Sequence, residues 1–369
     1  MNNRMTKLMN TILILAALLG SGCGGDDGDE KKVLPKNLQV TTEISSTDVG
    51  KVTVTATAEN ASFFTIHFGL VGSTVTSTDG TATYTYNASG TYTITVNAHS
   101  TPNDFITTST LVTVDIPISD EGYTTPESYD GYTLVWQDEF SGTTLNSDNW
   151  THEIGTGSGG WGNNELQYYR SENTTVDDGY LLITAKKENF SGSSYTSSRI
   201  ITKGKKEFQY GRIDIRAKLP KGQGIWPALW MLGQNISEVS WPKCGEIDIM
   251  EMIGGSGREK TVHGTLHWDN NGSHACTCDK PGYSLASGIF ADKFHVFTIT
   301  WDETEIKWFV DDVLFNTIDI TPAGLSEFHN EYFFIFNVAV GGNWPGSPDG
   351  TTVFPQQMIV DYIRVFQEE

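Results

Sequence analysis

From residue 33 onward the chain consists of short runs of alternating polar and apolar residues, broken by glycine and aspartate, with no long amphipathic helix pattern between them. Lys51–Ala58 (KVTVTATA), Thr91–Asn97 (TYTITVN), Arg212–Ala217 (RIDIRA), Val296–Trp301 (VFTITW) and Ile359–Phe366 (IVDYIRVF) are such runs, and Tyr180–Ala185 (YLLITA) is a further short β-type segment. A period of two sends successive side chains to opposite faces of a strand, so each run has one face to bury. A chain built this way closes a core by packing sheets on sheets. The 38 glycines and the 11% aromatic content fit a turn-rich all-β protein.

The 369 residues leave room for about two domains plus tails. Residues 33–117 are rich in Thr, Val, Ser and Ala and lack tryptophan, whereas all ten tryptophans lie from Trp136 to Trp344. The first stretch predicts an antiparallel sandwich of immunoglobulin size. Within it Ala82–Val96 (ATYTYNASGTYTITV) resembles the end of a polycystic-kidney-disease-type (PKD) module, a β-sandwich common in secreted enzymes, for which a spacer role is favoured over glycan binding. Residues 118–130, with Pro, Asp, Glu and Ser and no periodicity, predict a linker. Residues 131–369 predict one large β-sandwich or jelly roll.

The N-terminus has the pattern of an export signal: Arg4 and Lys7, then the apolar run Thr11–Gly20, too short to span a bilayer. Cys23 follows Gly20-Ser21-Gly22 and resembles the lipidated cysteine of a bacterial lipoprotein box. The leucine usual three places before that cysteine is replaced by Gly20, which keeps a general secretory signal as the alternative. Residues 1–23 are thus read as a lipoprotein-type signal and 24–32 as an acidic tether. The expected location is the cell envelope, outer surface included, or else the medium. A net charge of −21 disfavours nucleic acid and anionic membrane surfaces as partners, so membrane contact is expected only through a lipid anchor.

The densest chemistry lies in Glu246–Glu251 (EIDIME), where three carboxylates share one short apolar stretch. Like charges held this close raise at least one pKa, and carboxyl groups with separated pKa values are what acid/base cleavage of a glycosidic bond requires. On a strand Glu246 and Asp248 share a face, while strict alternation would turn Glu251 into the core at a high desolvation cost. A β-bulge at Ile249-Met250, with Met250 as the extra residue, restores Glu251 to the acid face. Glu246 and Glu251 are then roughly 13 Å apart at the backbone, a gap that side chains leaning together can largely close.

These residues carry a resemblance. Gly245–Glu251 (GEIDIME) is similar to the signature of glycoside hydrolase family 16 in its bulged form, and the similarity runs through residues 131–369. It includes Trp136–Phe140 (WQDEF), Gly160–Tyr169 (GWGNNELQYY), Trp226–Leu232 (WPALWML), Val262–His267 (VHGTLH) and Phe336–Pro345 (FNVAVGGNWP). These motifs look most like the laminarinase, or endo-β-1,3-glucanase, branch. The resemblance implies a β-jelly-roll with a concave cleft and a retaining enzyme acting on β-glucan without a catalytic cofactor, and the protein is expected to be a monomer. Glu246 would be the nucleophile, Glu251 the general acid/base and Asp248 the assisting acid. Mixed-linkage β-1,3-1,4-glucanase and agarose-type galactan hydrolase are the alternatives within the family, and a non-catalytic glucan-binding protein is the alternative outside catalysis.

Sugar rings present apolar C–H faces to flat aromatic side chains. Trp226, Trp230 and Trp241 are expected to line the cleft, and Trp344 to stand at its end, whereas Trp136, Trp150, Trp301 and Trp308 are assigned to the core. The resemblance adds Asn164, Arg199, His267 and Asn337 as substrate-binding positions, leaves His263 structural, and implies a structural Ca²⁺ held by Glu139, the Gly179 backbone and Asp361, oxygen ligands suited to that ion. Cys276 and Cys278 flank a single residue, so a bridge between them would be strained. A bridge from Cys244 to either would instead clip a loop beside the carboxylates. One distant cysteine plus a Cys-x-Cys pair is an incomplete zinc set.

Overall fold

The computed structural model describes residues 33–369. Cys23, the export signal and the acidic tether lie outside the described residues. The described residues fall into two compact units, one ending at Ile118 and the other spanning Ser119–Glu369.

The first unit contains a three-stranded sheet of Lys36–Ile44, Lys51–Glu59 and Thr81–Thr85, and a four-stranded sheet in the order Thr74–Ser77, Phe63–His67, Gly90–Thr101, Asp104–Val114. The alternation places Val52, Val54 and Ala56 of one sheet in a common core with Phe64, Ile66, Ile94 and Val96 of the other. This is the predicted small β-sandwich.

The second unit is built on an eight-stranded and a nine-stranded sheet. The eight-stranded sheet centres on Gly211–Lys218, flanked by Gln356–Glu368 and His295–Trp301. The nine-stranded sheet runs Ser273–Cys276, Thr261–Asn270, Glu246–Glu251, Ile225–Gly233, Tyr332–Val340, Arg199–Ile201, Thr151–His152, with two short strands attached. Ile213, Ile215, Ile299 and Trp308 of the first sheet share a core with Leu229, Met231, Ile247 and Phe334 of the second. Trp136, Trp150 and Trp301 are also buried, as assigned. Every residue of Tyr332–Val340 is buried, because this strand lies inside the sheet between Ile225–Gly233 and Arg199–Ile201, with the main core on one side and Asn337 beside a smaller apolar cluster of Phe333 and Ile335 on the other.

The expected linker is corrected. Residues from Ser119 onward belong to the second unit and are fastened across its eight-stranded sheet. Buried Arg216 donates through Nε to the Tyr123 carbonyl (2.7 Å) and through Nη2 to the Asp120 carbonyl (2.7 Å), and pairs with the Asp120 carboxylate. Tyr129 donates to Asp214 (2.7 Å), and the Thr125 amide donates to the Tyr362 hydroxyl (2.9 Å). The lack of periodicity reflects an irregular strap tied by side chains.

Candidate active site

The Glu246–Glu251 strand carries the expected bulge. Against Ile225–Gly233, Leu229 faces Met250 and Trp230 faces Asp248, so Ile249 has no partner. Against Thr261–Asn270, Thr265 faces Asp248 and His263 faces Glu251, so Ile249 and Met250 together oppose Gly264. The residue left over beside Ile225–Gly233 is therefore Ile249, which corrects the assignment of Met250. Both side chains enter the core, and that is the physical cause. Two consecutive apolar residues can both point inward only where the pleat is interrupted, and the interruption returns Glu251 to the face of Glu246 and Asp248.

Two indoles and an imidazole surround the acids. Trp241 donates its Nε1–H to Glu246 at 2.8 Å, and Trp226 donates to Glu251 at 2.9 Å. His267 faces Glu246 across the strand pair, and its Nε2 lies 3.2 Å from Asp248 Oδ2 and 3.8 Å from Glu246 Oε1. Asp248 is 1% exposed, and its Oδ2 takes no hydrogen bond. Burial holds all three carboxyls above the ordinary carboxylate range. For Glu251 the charges of Asp248 and Glu246 add to burial. For Glu246 the Asp248 charge adds, while His267, the Trp241 indole and Arg199 pull back toward the anion. Asp248 rises chiefly through burial. Three carboxyls in one partly desolvated site cannot all ionise near neutrality. Such an arrangement keeps a proton on the face and an anion beside it, as acid/base chemistry needs.

The other expected residues fall into layers. Trp226 and Trp230 are half-buried on the outer face of their strand, and Trp241 is exposed. Exposed Trp344 packs edge-on against Trp226 with centroids 5.6 Å apart. Asn337 and Arg199 lie deeper than a direct sugar contact suggests. Asn337 is 5% exposed and accepts from Trp230 Nε1 at 2.7 Å. Arg199 is buried, paired with Glu153, with its guanidinium over the rings of Trp230 (4.9 Å) and Trp161 (4.5 Å). Asn337 holds the Trp230 ring at its Nε1 edge and Arg199 covers its face. Asn164 is exposed on its loop and donates to Asn343 at 2.8 Å.

Several residues escaped the sequence reading. Behind Asn337 stands Tyr169, which receives a hydrogen bond from the Asn337 amide (3.2 Å) and donates to Glu165 (3.1 Å). His263, assigned as structural, faces Glu251 in the ladder and packs edge-on against Trp344 at 5.3 Å. His274 lies 4.7 Å from the Trp241 ring. Glu165 and Tyr169 sat within the GWGNNELQYY motif, which was the available signal; nothing in spacing marked His274.

The cysteine and calcium expectations change. Cys276 and Cys278 are joined, their Cα atoms 5.3 Å apart, and Cys244 is free. Cys244 is fully buried among Ile201, Leu232, Phe333 and Ile335, out of reach of a bridge. The proposed calcium ligands do not fit the ion. Both carboxylate oxygens of Glu139 accept from Arg364 (2.7 and 2.9 Å), and Asp361 accepts from Arg216 (2.7 Å). Two guanidinium groups supply the positive charge that a cation at Glu139, Gly179 and Asp361 would have brought.

The family model described as glycosyl hydrolases family 16 matches residues 162–364. A second model, described as beta-glucan synthesis-associated protein SKN1/KRE6/Sbg1, matches residues 25–241 and stops short of the carboxylate strand. The clotting factor G alpha subunit of Tachypleus tridentatus is 41% identical over 238 residues, 64% of this chain and 34% of that protein, so the chain spans about a third of this relative's length. The beta-glucanase of Rhodothermus marinus is 39% identical over 274 residues, 70% of this chain and 94% of that protein. The crystal structure of the laminarinase catalytic domain from Thermotoga maritima MSB8 is 48% identical, with a TM-score of 0.60, over 65% of this chain and 100% of that one.

Proposed function

Because this chain belongs to glycosyl hydrolases family 16, we propose that it is a retaining endo-β-1,3-glucanase that cuts internal bonds of laminarin-type glucans. The observation that carries the reading is the bulge. It places Glu246, Asp248 and Glu251 on one face, with Glu246 and Glu251 each held by a tryptophan N–H.

Glu251, whose carboxyl is held protonated by burial and by its acidic neighbours, donates its proton to the glycosidic oxygen as the C1–O bond breaks and the bonding pair leaves with that oxygen. A carboxylate oxygen of Glu246 attacks C1 and forms the glycosyl-enzyme. Esterification removes the Glu246 charge, so Glu251, now an anion, no longer feels the repulsion of that neighbour. It next takes a proton from water as the water oxygen bonds to C1, and the C1–O pair returns to Glu246. Asp248 and His267 steer the ionisation of Glu246, the Asp248 charge raising its pKa and His267 lowering it. Trp226, Trp230, Trp241 and Trp344 offer faces to the sugar rings, while Asn164 lies on an exposed loop and Arg199 and Asn337 brace Trp230.

Incubation with laminarin, mixed-linkage glucan and agarose side by side tests the reading. Short oligosaccharides from laminarin support it, and release from agarose alone overturns it. The Arg4–Gly20 leader and Cys23 support export with a lipid anchor, tested by fatty-acid labelling of wild type against Cys23→Ser.

A further inference from the structure

The hairpin of Thr261–Asn270 and Ser273–Cys276 carries a cluster in which His267, already beside the catalytic carboxyls, meets two residues that the glucanase reading does not use, His274 and Cys276. His267 and Cys276 are direct cross-strand partners, and His274 lies two residues from Cys276 on the same face. His267 Nδ1 and His274 Nε2 are 2.9 Å apart, and one ligand atom from each of His267, His274 and Cys276 falls within 4.8 Å of the others. The remaining nitrogen of His267, Nε2, points at Asp248 from 3.2 Å. A carboxylate behind a histidine is the arrangement that orients a metal-binding imidazole and raises its basicity. Cys276 is bonded to Cys278, which is exposed and therefore open to attack by a thiol.

We propose that His267, His274 and Cys276 form a site for a soft divalent transition metal such as Zn²⁺, closed while the Cys276–Cys278 disulfide is intact and opened by a dithiol reductant. The dithiol supplies two electrons and two protons, becomes a disulfide itself, and leaves Cys276 and Cys278 as thiols. The ion then displaces the Cys276 proton into solvent and takes the thiolate, with one nitrogen from each histidine. Tetrahedral zinc–nitrogen bonds of about 2.0–2.1 Å set two ligand nitrogens roughly 3.3 Å apart. The present 2.9 Å gap needs to widen by only about 0.4 Å on that geometry, a movement open to the exposed His274. Asp248 Oδ2 and Glu246 Oε1 stand behind the site, 3.2 and 3.8 Å from His267 Nε2. A filled site immobilises His267 and adds positive charge next to Glu246, so the metal acts as an inhibitor. This last step rests on the proposed glucanase activity, whereas metal binding does not.

The test uses the full chain and Zn²⁺. Cys278→Ser leaves Cys276 as a free thiol without any reductant. By isothermal titration calorimetry it is expected to bind Zn²⁺ at least tenfold more tightly than the disulfide-bonded wild type, and Co²⁺ in its place is expected to show thiolate-to-metal charge-transfer absorption. Adding Cys276→Ser or His274→Ala to that variant should abolish the gain, and laminarin hydrolysis by Cys278→Ser should be inhibited by Zn²⁺ and restored by a chelator. Metal-free activity of Cys278→Ser on laminarin and an unchanged circular dichroism spectrum establish that it is folded. Equal Zn²⁺ affinity of Cys278→Ser and the double cysteine variant overturns the proposal. Inactivity of metal-free wild type toward laminarin overturns the glucanase reading instead.

Discussion

The indole nitrogen of Trp308 donates to the backbone carbonyl of Asp248 at 2.8 Å. Trp308 belongs to the Glu305–Val310 strand of the eight-stranded sheet, so this bond crosses the sandwich to reach the bulge in the nine-stranded one. The bulge interrupts the ladder beside this carbonyl, and a buried carbonyl without a partner costs about 1–3 kcal/mol. Trp308 satisfies it and thereby fixes the backbone between Glu246 and Glu251. Trp308→Phe keeps most of the ring volume and removes the N–H. The expected result is a fall in kcat of about tenfold or more with KM little changed, since about 1.4 kcal/mol of misplacement in the transition state is a factor of ten. Steady-state kinetics on laminarin checks this, and an unchanged kcat in a variant of lower Tm would reduce Trp308 to packing alone.

Gly264 makes room for that bond. A Cβ there would lie 2.2 Å from Trp308 Cδ1 and 2.6 Å from its Nε1. The indole is 0% exposed and cannot move aside without disturbing the core. Gly264→Ala should therefore cost about 1–3 kcal/mol through overpacking and lower kcat through the same displaced carbonyl. With Trp308→Phe in the same molecule the two losses should be clearly less than additive, because both act through one contact. Urea unfolding of both single variants and the double variant measures this, and full additivity would separate the two sites.

The raised carboxyls make a stability prediction with a definite sign. Glu251 has a folded pKa well above its ordinary value of 4.5. Between those two values the folded state holds a proton that the unfolded state has lost, so stability falls as pH rises through that window. Glu251→Gln removes the ionisable group. It should be nearly inactive yet melt higher than wild type at pH 8, with the difference vanishing below about pH 4, where both states are protonated. A gain of 1 kcal/mol corresponds to about 2–4 °C in a domain of this size. Differential scanning calorimetry from pH 4 to 8 reads it directly, and a Tm difference that did not depend on pH would sink the linkage.

Much of this site was legible because the strand period is strict. Three acids among isoleucines within six residues cannot all avoid the core without a bulge, so EIDIME determines the local geometry from sequence alone. Trp226 and Trp230, four apart, followed from the same period. What the sequence could not show was depth. Arg199 and Asn337 were expected to bind substrate, but only the packing shows them holding Trp230, tied to Glu153 and Tyr169. Which of Ile249 and Met250 loses its partner depends on register with two neighbouring strands, which one strand does not encode. The strap of residues 119–130 looked like a linker because its order comes from Arg216, Asp214 and Tyr362, each more than eighty residues away, rather than from a periodicity of its own.

That strap depends on one buried guanidinium. Arg216 is 1% exposed and joins Asp361, Asp120 and the Tyr123 carbonyl in one cluster, in the region where a calcium ion was expected. Removing one partner of a buried ion pair costs about 3–5 kcal/mol, and Asp361, a quarter exposed, places the cost here toward the lower end. Arg216→Met should lower Tm by roughly 6–12 °C at about 2–4 °C per kcal/mol. It should also expose the strap to limited proteolysis between residues 119 and 130 while leaving the distant carboxylate strand folded. A chelator should leave the wild-type Tm unchanged, because the guanidinium groups of Arg216 and Arg364 already neutralise Asp361 and Glu139. A chelator-induced drop of several degrees, reversed by Ca²⁺, would restore the calcium site and set aside the role given to the two arginines.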